Sequence, residues 1–507
     1  MPIKKLKIHF IGIGGIGVSA LAQYYLAKGH KVSGSDLVSS EITQALKKRG
    51  VKIFIGKHQK NNLPKSVDLV IYSPAVQKNN PELKTAKKLK IKCLSYPEAL
   101  GELTKKYFTI AVSGTHGKST TTAMIGLILI RAGLDPTVII GTKLKEFQNS
   151  NCRIGKSEYL VIEADEWQAS FLNYWPKMIV LTNIEKEHLD YYKNLRNILK
   201  TFEEYIRHLP KDGILVVNKD DKNIIKTTQQ KFVNSTFSTA VENVLYYSRE
   251  QKEARKLKKI LKIPGEHNVS NALAALTVAR VLKIPDRTVF KALSEYKGSW
   301  RRFEIVEAEI RRYQRGKTRK IIIVSDYAHH PTEIKATLQA VKEKFPSQKI
   351  WCVFQPHQYQ RTFYLFKDFI KVLKQASIDK LIITDIYDVA GREETGIKER
   401  VNSKKLVEAI NNGRYARYIE HPARYNAEGD ISSKARYNAE AIYRAEARYK
   451  ARAIYRAHKN LCAAVYLKKE KIIKYLKKNL QGREVLIIMG EGDIYKLVDS
   501  FSLTMKR

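Results

Sequence analysis

The residues best suited to chemistry form one run, Ser113-Gly114-Thr115-His116-Gly117-Lys118-Ser119-Thr120, set between a β-branched stretch at 109–113 and a helical pattern at 121–131. Backbone N–H groups of such a loop can cradle phosphates. Lys118 can reach the β/γ oxygens, and the Ser119 hydroxyl can ligate Mg²⁺. Only Thr115 and His116 separate Gly114 from Gly117-Lys118, whereas the usual phosphate loop has four residues there. The candidate contacts to ATP in this loop are Gly114, Thr115, His116, Gly117, Lys118, Ser119 and Thr120. Transfer from a triphosphate also needs a metal. Glu163, Asp165 and Glu166 close a strand pattern at 159–163, and His188 follows another at 178–182, within Thr182-Asn-Ile-Glu-Lys-Glu-His-Leu-Asp190. Both fall on the strand edge where parallel sheets bind ligands. Ser119, Glu163 and His188 are therefore candidate Mg²⁺ ligands, with Lys118, Glu163 and His188 catalytic. Taken singly, the acidic cluster also reads as a solvated loop and the histidine as a surface or core residue.

Other polar sets sit at similar places. Gly12-Ile13-Gly14-Gly15-Ile16-Gly17 follows a strand pattern at 7–11 and opens a helix at 17–28, with Asp36 ending the next strand. Glycines let a backbone approach a diphosphate at a helix N-terminus, and a carboxylate about twenty residues on suits a ribose. Alone, this run fits a nicotinamide enzyme, another nucleotide, or a glycine turn with no ligand. His267, Asn268 and Asn271 lie at the start of a helix expected over 271–282, where they could read a purine edge or, for Asn268, cap the helix. Arg301-Arg302 suits phosphate recognition. Asp326-Tyr-Ala-His-His-Pro331 follows a strand at 321–325, and Gln355-Pro-His-Gln-Tyr-Gln-Arg-Thr362 follows one at 349–354.

These groups need strands and helices in alternation to hold them, and that pattern runs through the chain. Strands are predicted at 7–11, 31–34, 69–73, 109–113, 159–163, 178–182, 214–218, 321–325, 349–354, 381–384 and 485–489. Helices are predicted at 17–28, 41–49, 121–131, 271–282 and 404–410. Such alternation implies parallel strands with crossover helices. Three α/β domains are expected, spanning 1–106, 107–298 and 299–507. A six-residue repeat carrying Tyr, with copies between Ala423 and His458, interrupts the last domain as an insertion at about 413–461. On a helix its tyrosines would point in three directions, so a low-complexity surface excursion is expected.

The 507 residues comprise 92 basic and 50 acidic side chains, a formal charge of +42. The lysines are spread through ordinary amphipathic patterns, so a lysine-rich surface is expected rather than a nucleic-acid interface. Such a field would still attract polyanionic small molecules. Lys4, Lys5 and Lys7 ahead of an apolar run resemble a secretory signal, but a buried strand entering a glycine turn explains them better. Cys93, Cys152, Cys352 and Cys462 show no metal or redox spacing, and no apolar run nears the ~18 residues of a membrane span. A cytoplasmic location with reduced thiols is expected.

In combination these motifs resemble the Mur ligase family, and its alanine-adding branch in particular. The resemblance rests on 12–17 with Ser35-Asp36, Tyr72-Ser-Pro-Ala-Val76, 114–122, Glu163-Ala-Asp-Glu166, 182–190, 265–271, Arg301-Arg-Phe-Glu304, 326–331, 354–362, Asp385-Ile-Tyr387 and Gly490-Glu-Gly-Asp-Ile494. They occur in the family's order. The resemblance implies a Rossmann-like N-terminal domain, a central P-loop-type ATP-binding domain and a C-terminal Rossmann-like α/β domain. It implies ATP-dependent joining of L-alanine to UDP-N-acetylmuramate through an acyl phosphate in peptidoglycan synthesis, with Mg²⁺, and with neither nucleic acid nor membrane as partner. A monomer or weak homodimer is expected. Gly12, Gly14, Gly15, Ile16, Gly17, Ser35, Asp36 and Ser73 would then hold the UDP-sugar. Asn268, Asn271, Arg301 and Asp326 would join the ATP contacts, and His329, His330 and Arg361 would receive the amino acid, with Arg361 on its carboxylate and counted with the catalytic residues.

The chain departs from the family pattern in places. Trp167-Gln168 replaces Ser-Asp, Glu187 replaces Asp, Gln358 stands where Arg is frequent, and Glu491 replaces the Ala of Gly-Ala-Gly. A recycling ligase that attaches a preformed peptide to the same sugar would share the phosphate chemistry. A nicotinamide oxidoreductase would leave Lys118 and Glu163 without roles, and a basic nucleic-acid-binding protein would rest on the Tyr/Arg repeat alone.

Overall fold

The computed structural model describes residues 5–229, 243–311, 318–389, 393–412 and 463–503; the repeat of 423–458 lies outside them. The chain forms two compact units, Met1–Trp300 and Arg301–Arg507. The first carries two sheets and the second carries one.

The N-terminal sheet comprises β1 (Lys7–Ile11), β2 (Lys31–Asp36), β3 (Lys52–Ile55), β4 (Leu69–Tyr72) and β5 (Lys92–Ser95), all parallel, in the order β3-β2-β1-β4-β5. Central β1 buries Ile8, His9, Phe10 and Ile11, so its sequence reads as a run rather than an alternation. The helix Ile16–Ala27 packs on this sheet through Val18, Ala20, Leu21 and Ala22. β3 and β5 were not legible in the sequence, because each has four residues and begins on lysine.

The central sheet contains β6 (Phe108–Ser113), β7 (Thr137–Leu144), β8 (Ser150–Arg153), β9 (Tyr159–Glu163), β10 (Met178–Leu181), β11 (Ile214–Asn218) and β12 (Asn243–Tyr247). Its order is β12-β11-β10-β6-β9-β7-β8, parallel except for the β7–β8 pair. β6 lies between β9 and β10, so three chain segments leave neighbouring strands at one edge. Two helices on one face, Lys118–Arg131 and Glu266–Val281, share a core with Ile110, Val112, Val161 and Val180. Helix Lys118–Arg131 starts three residues before the expected 121, which puts Lys118 and Ser119 in its first turn. Glu266–Val281 starts five residues before the expected 271. Asn268 is therefore not its cap: Gly265, at φ +100°, is. The Asn268 side chain instead donates to the Pro264 carbonyl at 2.6 Å.

The second unit holds β13 (Glu304–Arg311), β14 (Thr318–Asp326), β15 (Ile350–Phe354), β16 (Lys380–Ile383), β17 (Ala464–Tyr466), β18 (Val485–Met489) and β19 (Ser502–Leu503). Their order is β17-β16-β15-β18-β14-β13-β19, with β13 antiparallel to β14 and β19. β18 is buried along its length, between β14 and β15. Residues 326, 354 and 489 thus end adjacent parallel strands and launch three loops together. Among the described residues, no helix is long and apolar enough to cross a membrane.

Candidate active site

At the end of β6 the chain turns through Gly114 at φ +133°, and a Cβ there would stand 2.2 Å from Thr182 Oγ1. The segment leaving β10 acts as a template for the loop. Thr115 N donates to Asn183 O at 2.9 Å and His116 N to Asn183 Oδ1 at 2.8 Å. The His116 carbonyl accepts from Thr182 Oγ1 at 2.6 Å and Asn183 Nδ2 at 3.0 Å. Gly117 then adopts the left-handed region at φ +81°, where a Cβ would lie 2.4 Å from Asn271 Oδ1. The amides of Lys118, Ser119 and Thr120 follow in the first helical turn, where no intrahelical acceptor exists and the dipole favours an anion. Small residues at 114 and 117 are thus enforced by neighbours, and the result is a closed ring of backbone whose donors towards an anion are the amides of 118–120.

The Lys118 side chain folds across this ring. Its Nζ donates to Gly114 O at 2.7 Å, Thr115 O at 3.2 Å and Glu166 Oε2 at 2.7 Å. Burial works against its charge, but Glu166, Asp165 and Glu163 outweigh burial and hold the ammonium protonated, above its ordinary range. Burial pushes the Glu166 carboxyl up to about 8 despite Lys118. Beside it, Ser119 Oγ donates to Glu163 Oε1 at 3.0 Å, and Gly141 N donates to Glu163 Oε2 at 2.8 Å. Glu163 is thereby fixed at the helix start.

His188 takes φ +51° at the head of the short helix Leu189–Tyr192. Its Nε2 lies 3.9 Å from Glu166 Oε1, an atom buried without a hydrogen bond among the described residues. Asp165, Glu166 and His188 offer donor atoms all within 4.8 Å of one another, a set able to hold a cation. The expected metal ligands are thus distributed between two neighbours: Ser119 is bonded to Glu163, and His188 approaches Glu166. Sequence reasoning placed Glu166 in an acidic cluster but gave it no role. Its signal was the strand end shared with Glu163.

In the N-terminal sheet, Gly12 N and Ile13 N donate to Ser35 O at 2.8 and 3.1 Å, and Gly15 N donates to Gly12 O at 3.2 Å. Gly12 has φ +77° and meets Ser73, whose Cβ would be 3.0 Å from an added Cβ. Gly15 caps helix Ile16–Ala27, and Gly17 packs so closely on Tyr96 that a Cβ would meet its ring at 2.7 Å. Asp36 is engaged by the loop itself, accepting from Gly14 N at 2.8 Å. The Ser35 hydroxyl turns inward to Glu82 Oε2 at 2.7 Å. Buried Glu82 also meets His9 Nε2 at 2.9 Å, His58 Nδ1 at 2.7 Å and Asn62 Nδ2 at 3.1 Å. Burial opposes its charge, but these bonds outweigh burial and hold its carboxyl below the usual range.

In the second unit, Asp326 ends β14 and accepts from Phe303 N at 2.7 Å, Ala328 N at 2.8 Å and Thr337 Oγ1 at 3.1 Å; burial nonetheless raises its carboxyl. Arg301 lies buried between the rings of Tyr327 and Tyr495, 4.8 and 4.4 Å from their centroids, and donates to the carbonyls of Gly490 and Gly492. His330 caps helix Pro331–Lys344, accepting from Thr332 N at 3.3 Å. His329 and Arg361 converge on Glu491 Oε2, each at 3.5 Å, and His357 Nδ1 reaches the same oxygen at 2.8 Å. Tyr327 donates to Glu491 Oε1 at 2.8 Å. Burial opposes the charge of Glu491, but His329, His357 and Arg361 outweigh it and hold its carboxyl well below the usual range. In the sequence, Glu491 stood out only as a departure from a motif.

With this geometry in hand, comparison with known proteins is direct. The chain matches the family models described as Mur ligase family, catalytic domain, over 7–108; Mur ligase middle domain, over 112–279; and Mur ligase, glutamate ligase domain, over 301–440. A UDP-N-acetylmuramate–L-alanine ligase of Acetivibrio thermocellus is 38% identical over 517 residues, covering 99% of this chain and 96% of its own. A protein of the same name from Aquifex aeolicus is 43% identical over 413 residues, covering 79% and 88%. The crystal structure of a UDP-N-acetylmuramate-alanine ligase from Thermotoga maritima has a TM-score of 0.69 at 25% identity, covering 98% of both chains.

Proposed function

This chain belongs to the Mur ligase family, and on that premise we propose a residue-level account of its reaction. It is an ATP-dependent carbon–nitrogen ligase that adds L-alanine in peptidoglycan synthesis. In the proposed course, a carboxylate oxygen of UDP-N-acetylmuramate attacks the γ-phosphorus of ATP and ADP departs, leaving an acyl phosphate. The amine of L-alanine then attacks the acyl carbon, phosphate leaves, and the amine proton is lost. Activation is needed because a carboxylate is a poor electrophile. Phosphoryl transfer itself depends on positioning and on charge neutralisation.

The residues fit those needs. The observation that carries the reading is the loop 114–120, where two glycines forced by Thr182 and Asn271 aim first-turn amides and the Lys118 ammonium at one place. Lys118 exchanges its loop carbonyls for phosphate oxygens as the triphosphate enters. Asn268 and Asn271, on the helix packed against Gly117, would read the adenine edge. Arg301 and Asp326 are assigned to nucleotide contacts on family resemblance alone, since both are engaged with backbone groups of their own unit.

A divalent cation suits the carboxylates beside the loop, because Glu166 Oε1 is buried and makes no hydrogen bond among the described residues. We assign Mg²⁺ to Ser119, Glu163 and His188, with Asp165 and Glu166 as further donors. When bound, it would neutralise the charge on phosphate oxygens.

The N-terminal loop is assigned the UDP-sugar: Gly12, Gly14, Gly15, Ile16 and Gly17 through backbone groups and Ser73 at the loop's edge. Ser35 and Asp36 act by shaping the loop, as their bonds to residues 12–14 indicate. His329, His330 and Arg361 are assigned to the amino acid, with the enzyme acting in the cytoplasm as a monomer or weak homodimer.

The test is phosphate release from ATP and UDP-N-acetylmuramate with L-alanine, glycine, L-serine or a tripeptide as acceptor. Turnover is expected with L-alanine. Turnover with the tripeptide alone would instead identify a recycling ligase, and none with any acceptor would contradict the reading.

A further inference from the structure

The loop that follows β18 is clamped from two sides, and the clamp aims one side chain. Gly490, at φ +146°, lies so close to Gln355 that a Cβ would meet its carbonyl oxygen at 2.6 Å. At Gly492 a Cβ would meet Gln355 Oε1 at 2.5 Å and the Tyr387 ring at 2.6 Å. Arg301 holds the carbonyls of both glycines. Glu491, between them, is presented to the Arg361 guanidinium and the imidazoles of His329 and His357, launched from β14 and β15. Its Oε2 lies 2.8 Å from His357 Nδ1 and 3.5 Å from both His329 Nδ1 and Arg361 Nη1, while Tyr327 holds Oε1. The Arg361 side chain is 5% exposed and that of Glu491 24%, so the pair is sheltered but not sealed.

Carboxylate recognition in proteins uses this kind of surrounding: a guanidinium, imidazoles and a hydroxyl converging on two oxygens. Here the carboxylate belongs to the chain itself, at a position where the family motif has alanine. We propose that the Glu491 carboxylate occupies the place of the acceptor's carboxylate, making it a specificity-determining residue that competes with the incoming amino acid for Arg361, His329 and His357. The inference rests on assigning Arg361 and His329 to the amino acid; His357 joins them through its 2.8 Å contact with Glu491. An acceptor must displace Glu491, whose side chain then turns towards solvent. The competition weakens binding of any acceptor through its carboxylate and leaves the ATP and UDP-sugar contacts of the first unit untouched.

The test is direct binding, which does not depend on turnover. Isothermal titration of the full chain with L-alanine, propionate and L-alaninamide is compared between wild type, Glu491→Ala and Glu491→Gln, each checked for an unchanged thermal melt. Removing one competing charged partner should tighten L-alanine and propionate about tenfold in E491A, with a smaller gain in E491Q. L-Alaninamide, which lacks the carboxylate, should bind unchanged. Adding Arg361→Ala to E491A should abolish the gain. Unchanged or weaker L-alanine binding in E491A overturns the proposal, and weaker binding would mean that Glu491 holds the acceptor's ammonium instead. An equal gain for L-alaninamide also overturns it. The ligase reading is tested separately by alanine-dependent phosphate release from wild type: its absence alongside tighter propionate binding in E491A would remove the reaction and keep the competition.

Discussion

Replacing Lys118 by methionine removes the ammonium bonded both to carbonyls of the loop 114–120 and to the buried carboxylate of Glu166. The side chains are 13% and 3% exposed, so solvent screens the loss weakly. Leaving a buried carboxylate unpaired costs about 3–5 kcal/mol if it stays ionised. It need not, because burial already pushes Glu166 up to about 8, and losing the ammonium raises it further. A group whose folded pKa is raised gives stability that is full below the unfolded pKa and is lost as pH rises through the folded one. In wild type that loss ends near pH 8; in Lys118→Met it continues above. The stability gap should therefore be flat from pH 6 to 8 and then widen by about 1.4 kcal/mol per pH unit. For a domain of this size that is about 3–6 °C in apparent melting temperature per unit. The assay is calorimetric melting at pH 6, 8 and 9 for wild type, K118M and K118M with Glu166→Gln, alongside ATP turnover. The double variant should show no widening. ATP turnover should fall at least ~10²-fold in both variants, with UDP-sugar binding retained. Equal gaps at pH 6 and 9, or a widening that survives E166Q, would refute the pairing of Lys118 with Glu166.

Gly117→Ala should raise the KM for ATP, because the left-handed backbone costs about 1–2 kcal/mol and the new Cβ would press on Asn271 Oδ1 at 2.4 Å. Steady-state kinetics with ATP varied check this, and an unchanged KM would contradict the enforced turn. Glu82→Gln should destabilise the N-terminal domain by about 1–3 kcal/mol at pH 7, since hydrogen bonds to a buried charge are lost. Because the carboxyl of Glu82 is held below its ordinary 4.5, its contribution is present above that pH and lost as pH falls through the folded value. The gap to wild type should close as acid melts are taken below pH 4.5, and a constant gap would exclude a charged Glu82.

Much of the scaffold was legible because buried parallel strands announce themselves as apolar runs. β9, β11 and β18 fall at 159–163, 214–218 and 485–489, as their patterns predict. The short edge strands β3 and β5 carry too few buried residues to show a pattern, and β19 has only two residues. Helix starts were misjudged where glycine at positive φ, as at 117 and 265, supplied the entry rather than a side-chain cap. The loop 114–120 could be proposed as a phosphate site because that chemistry requires particular residue types in sequence. Three other features could not. Asn183 as the loop's template, Glu166 beneath Lys118 and Glu491 among His329, His357 and Arg361 all depend on which strand ends are neighbours. That is set by sheet order, not by local spacing.

The central claim is that the turn bearing Lys118 grips a triphosphate beside a cation held by neighbouring carboxylates. A crystal structure with Mg²⁺ and a non-hydrolysable ATP analogue tests it most directly. The phosphates should lie on the first-turn amides of 118–120, with Lys118 Nζ moved from the Gly114 and Thr115 carbonyls to the terminal phosphate. Mg²⁺ should stand within about 2.0–2.1 Å of an oxygen of Ser119 or Glu163, with His188 turned towards it. Nucleotide bound elsewhere with this loop empty, or Glu163 and His188 both directed away from the cation, would contradict the account.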